Sequence, residues 1–133
     1  MRIFVFLLLA LTAFSANAQT EFDAAKKRVH DACALGRDAC LQAINREKTC
    51  SEYRGDAVTV YNSKLEKIPP KFVFDNITKP RAPAFANEPI YTPLVSDDDV
   101  ARLIRMAYSG NWATPTDFAS EALRRCVANY KLN

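Results

Sequence analysis

Histidine occurs once in the 133 residues, glycine three times and tryptophan once. A single imidazole excludes acid–base chemistry by a histidine pair and any multi-histidine metal centre. So few glycines make a phosphate-cradling loop hard to build, and no P-loop, G-x-S-x-G or H-E-x-x-H pattern occurs. There is no C-x-x-C pair and no C-x-x-C-H, so a zinc ribbon and covalent haem have no support. An excess of one charge is also lacking. Eighteen Lys and Arg stand against 15 Asp and Glu, a net of +3 spread along the chain, which does not predict nucleic-acid binding. What remains, 49% hydrophobic and 25% charged, is an ordinary globular balance with room for one sizeable core.

The longest apolar run, Ile3 to Phe14, is broken only by Thr12. It is too short for a membrane anchor, which takes roughly 20 residues. Arg2 precedes it and Ala16-Asn17-Ala18 follows, the small-residue pattern that a signal peptidase accepts. Residues 1–18 are therefore expected to be a signal peptide, cleaved between Ala18 and Gln19. The remaining 115 residues, 19–133, are expected to form one exported α-helical domain of net charge +2. The short n-region favours a bacterial periplasmic destination. No later segment is apolar enough to span a membrane.

All four cysteines, Cys33, Cys40, Cys50 and Cys126, lie beyond that cleavage point. An even number in a small exported domain predicts disulfides. Three connectivities are open. Cys40 and Cys50 would stand about 15 Å apart on a continuous helix, too far to bond. Cys33 and Cys40 flank Gly36, a natural helix stop, and could meet across that corner. The favoured pairing is Cys33–Cys40 with Cys50–Cys126.

Helical periodicity marks both ends of the chain. Phe22, Ala25, Val29, Ala32 and Cys33 share one face of a helix over 21–35, and Cys40, Ala43 and Ile44 share a face over about 38–47. Residues 53–68 are ambiguous. Tyr53, Ala57, Tyr61, Leu65 and Ile68 recur at helical spacing, yet the run from Ala57 to Tyr61 is β-branched; the length of the pattern favours helix. Ser96 with Asp99, and Thr114 with Pro115, mark the starts of two further helices. Their apolar faces carry Val100, Leu103, Ile104 and Ala107, and Phe118, Ala119, Ala122 and Cys126. Between these regions lie six of the seven prolines, Pro69 to Pro93. That density excludes regular helix, leaving Lys71 to Asp75 as the one strand-like run. The fold class expected is mainly α: a disulfide-stapled bundle of about four to five helices, crossed by an extended proline-rich strap over 69–95.

Candidate sites are few. Asp97-Asp98-Asp99 lacks the alternating ligands of a calcium loop and reads as a helix N-terminus. His30 and Cys33 share a helix face, but a catalytic pair needs a free thiol. Asn76-Ile77-Thr78 fits an N-glycosylation acceptor if the source is eukaryotic. No catalytic residue, metal site or cofactor is assigned. Trp112, on the loop between the last two helices, is a candidate interface anchor or else the plug of that corner. The strap offers Phe72, Phe85 and Tyr91 beside Lys71, Lys79 and Arg81, an aromatic–basic surface for a partner.

No motif assigns a family. In outline, a small exported helical protein with two disulfides is similar to periplasmic inhibitors, immunity proteins and chaperones. The function expected is therefore non-enzymatic: binding of a protein or cell-envelope component, as an inhibitor, immunity or accessory protein. The alternative is a small secreted hydrolase or effector that uses a carboxylate pair. A carrier of metal or ligand is a third option, and it requires free thiols.

Overall fold

The computed structural model describes residues 19–80 and 93–130. They form five helices, and no strand occurs among them: α1 (19–33), α2 (Arg37–Leu65), α3 (Pro70–Thr78), α4 (Asp97–Ser109) and α5 (Pro115–Asn129). None of these helices is long and apolar enough to cross a membrane. The chain divides after Glu47 into two compact units.

In the first unit, Gly36 ends the α1 region at φ +130°, a backbone region that L side chains rarely enter. The chain reverses there, and Cys33 bonds Cys40 with their Cα atoms 4.0 Å apart. A second clasp lies further along. Arg28 donates from Nε and Nη2 to the two oxygens of Glu47, at 2.7 and 2.9 Å, a fork-on-fork pair. Burial pushes the Glu47 carboxyl up, but the hydrogen bonds and charge of Arg28, helped by Arg46, outweigh it and the net shift is down. Apolar burial is sparse here. Ala43 is the one buried hydrophobic residue among 19–47, while Phe22, Leu35 and Leu41 are exposed.

The second unit holds the main core. Phe118, Leu103, Val60 and Val100 are its largest fully buried aliphatic and aromatic side chains, each stabilising by roughly 1.5–3 kcal/mol. The Tyr61 ring stacks on Phe118, with centroids 5.3 Å apart. Val73 and Ile77 are buried from α3. Cys50, fully buried, bonds Cys126 and ties α2 to α5.

Local chemistry accounts for the helix starts. Ser96 accepts the Asp99 N–H at 3.2 Å while its hydroxyl donates to the Asp99 carboxylate at 2.8 Å. Thr114 repeats the device with Asp117, at 3.1 and 2.9 Å. Each cap thus satisfies a donor that the helix leaves open. The end of α2 is a Schellman turn. The Ile68 N–H donates to the Ser63 carbonyl, the Lys67 N–H to the Lys64 carbonyl, and Lys67 takes φ +60°.

Two sequence expectations need correction. The helices expected over 38–47 and 53–68 are one continuous element, α2, which settles the helix-or-strand ambiguity as helix through Leu65. The expected strap does not begin at Pro69. Residues 70–78, including the strand-like run Lys71 to Asp75, are helix α3. Pro70 is at the first helical position, where no N–H is needed, and the next proline is Pro80. Averaging proline over the whole segment hid a nine-residue window with no internal proline. Lys79 is extended, as the residue before a proline prefers. Residues 81–92 of the expected strap lie outside the described residues.

Candidate functional site

Trp112 sits in the corner between α4 and α5, and that corner is firmly held. The Tyr61 hydroxyl donates to the Trp112 carbonyl at 2.8 Å and accepts the Trp112 N–H at 3.1 Å. The Lys64 ammonium donates to the Gly110 carbonyl and lies 5.2 Å from the Tyr61 ring centroid. Below it, the Tyr108 hydroxyl donates to the Ile68 carbonyl at 2.5 Å. The indole meets Phe118 edge-on, with centroids 5.5 Å apart. Trp112 is half-buried, and its indole nitrogen is buried without a hydrogen-bond partner. Most of the residue therefore plugs the corner.

The aromatic–basic candidates are only partly placed together. Lys71, Phe72 and Lys79 are exposed on or just beyond α3, with Phe72 66% exposed. Lys79 is the extended residue that follows α3, so helical spacing does not bring it to the face of Phe72, and Lys71 is paired with Asp75 at 2.8 Å. Among the described residues, no hydrogen bond or ring contact joins Lys71, Phe72 or Lys79 to Trp112. Arg81, Phe85 and Tyr91 lie outside the described residues. Within the sequon, Ile77 is buried and the Thr78 hydroxyl donates to the Phe74 carbonyl.

A concave surface of the second unit lies elsewhere, and sequence reasoning missed it. It is an open groove of about 970 Å³ between α4 and α5, with α2 contributing Thr49 and Tyr53 and the approach to α4 contributing Leu94. Its basic groups are Arg102 and Arg105 from α4 and Arg125 from α5. Met106 joins the two helices there, accepting at sulfur from Arg125 Nη1 at 3.3 Å. Glu52 fixes the near edge by accepting the Leu94 N–H at 2.8 Å. Burial pushes the Tyr53 phenol up. The charge of Asp99 adds to that shift, and Arg102 and Arg125 oppose it. Charges from two helices thus act on one hydroxyl. A signal for this surface exists in the sequence: Asp99, Arg102, Met106 and Ser109 recur at helical steps beside the apolar face of α4.

Carboxylates near the groove act as props for arginine. Asp99 lies 3.5 Å from Arg102. Glu121 accepts from Arg124 and Arg125, and these hydrogen bonds hold it at about 2. Asp31, Glu47 and Glu121 are each held below the usual carboxylate range by neighbouring Lys or Arg. A general acid at neutral pH needs the opposite shift. His30 is exposed, 3.6 Å from Asp31, and Cys33 beside it is oxidised. All four cysteines are in disulfides, so a thiol-based carrier has no thiol to use. No group of three metal-ligating side chains occurs among the described residues.

Comparison of the chain with protein-family models, with curated proteins and with solved structures found no match in any of the three.

Proposed function

We propose that the chain is a small exported, non-enzymatic helical protein that binds a protein or cell-envelope partner, as inhibitors, immunity proteins and accessory proteins do. In this reading the signal peptide is removed between Ala18 and Gln19, and the protein acts in the periplasm or beyond. Two disulfides are compatible with an oxidising compartment. The observation that carries the reading is the arginine-lined groove between α4 and α5. Its wall holds one carboxylate, no histidine and no free thiol, so its chemistry suits recognition better than bond cleavage. The exposed Phe72 on α3 offers a second contact.

Photocrosslinking in the producing cell tests this. A photoreactive residue at Leu94, and in a separate variant at Phe72, should give a discrete adduct with another envelope or secreted component. The same label at Lys27, on the first unit, serves as the comparison. The absence of a discrete adduct from both positions would overturn the reading.

A further inference from the structure

Arg102 and Arg105 stand three residues apart on α4, close enough to repel. Arg125 reaches the same place from α5 through its contact with Met106. Two of the three arginines have an acid beside them: Asp99 for Arg102 and Glu121 for Arg125. Arg105 has no ion-pair partner among the described residues, and it is exposed. The three arginines thus line one groove, and Arg105 has no acid of its own among the described residues. A planar guanidinium presents its donors in a fork that matches a carboxylate, and an acidic occupant would relieve the repulsion along α4.

The groove is also more than an ion site. At about 970 Å³ it is far larger than one inorganic anion, and it is open to solvent. Leu94, 55% exposed, and Met106 add apolar surface beside the arginines. A ligand that fits needs carboxylates separated by apolar stems, which is the chemistry of an acidic peptide. A nucleic acid fits less well, because 18 basic residues against 15 acidic ones leave no broad cationic field.

We propose that this groove receives an extended acidic segment of the partner protein, with Arg102, Arg105 and Arg125 taking its carboxylates and Leu94 and Met106 its apolar side chains. The inference rests on the partner-binding reading and names the chemistry of the partner at that site.

The test uses the full oxidised chain and a dye-labelled ten-residue peptide alternating Glu and Leu, with Gln in place of Glu as the control. Fluorescence anisotropy should show the Glu peptide binding at least tenfold more tightly than the Gln peptide, and weakening as salt rises. Arg102→Gln with Arg105→Gln should reduce that affinity at least tenfold with the melting temperature unchanged. Arg105→Glu alone, at an exposed position, should do the same. Equal affinity for the two peptides, or no effect of the arginine changes, would overturn the proposal. So would tighter binding of an oligonucleotide or of anionic vesicles through the same arginines. Sedimentation showing a dimer that Arg105→Glu dissociates would assign the groove to a second copy of this chain instead. If the parent chain binds neither peptide while the cellular adduct at Phe72 still forms, the groove assignment fails and the partner-binding reading stands.

Discussion

Tyr61 shows how much one side chain can do. It is 4% exposed, stacks on Phe118 and satisfies both backbone groups of Trp112. Replacing it with Phe keeps the ring and strands a donor and an acceptor in a half-buried corner. Tyr61→Phe should cost about 1–3 kcal/mol, read as a lower midpoint in urea with the slope unchanged. Glu121 makes a different prediction. Its folded-state pKa lies near 2 against an ordinary 4.5. A depressed carboxyl contributes stability that is fully present above about 4.5 and lost as pH falls toward 2. In Glu121→Gln, the decline of stability with pH across that window should be shallower than in the parent chain. Equal slopes in acid denaturation would show that the Arg124 and Arg125 contacts are too exposed to matter.

At the scale of the element, helix ends were legible because their chemistry is local. Ser96, Thr114 and Pro115 mark starts that a reader of the sequence can place. The unity of α2 was not legible. Between Glu47 and Glu52 the buried position is Cys50, a half-cystine where an aliphatic residue would have continued the periodic signal. Helix α3 was hidden by its proline neighbours. The groove was hidden for a third reason: its arginines come from two helices, and no window of sequence contains both Arg102 and Arg125. The close of α2 also carries strain that can be relieved. Lys67 sits at φ +60°, where a side chain costs roughly 1–2 kcal/mol relative to glycine. Lys67→Gly should therefore stabilise, by about 0.5–1 kcal/mol once the greater freedom of unfolded glycine is subtracted. Thermal melting checks this, and a fall in midpoint would mean that the Lys67 side chain makes contacts worth more than the strain.

Across the whole molecule, the two disulfides serve unequal cores. Residues 19–47 bury little beyond Ala43, whereas the residues from Lys48 onward enclose Phe118, Leu103, Val60 and Val100. The short loop closed by Cys33–Cys40 is worth about 2.5 kcal/mol in the chain-entropy model, a large share for so thin a core. Cys33→Ser with Cys40→Ser should leave amides of α1 exchanging almost as in an unfolded chain, while α4 and α5 keep their protection. Equal loss of protection in all of them would show that the small unit has no separate stability.

The other disulfide reaches into the candidate site, because Cys126 lies in the groove wall and is bonded to Cys50 of α2. A newly made chain in a reducing compartment carries the arginines but lacks the covalent tie that sets α5 against α2. On the proposed reading, forming this bond fixes one wall of the groove, so the reduced chain should bind the acidic peptide more weakly than the oxidised one. An assay run in a reducing buffer would lose that tie and understate the affinity of the same polypeptide.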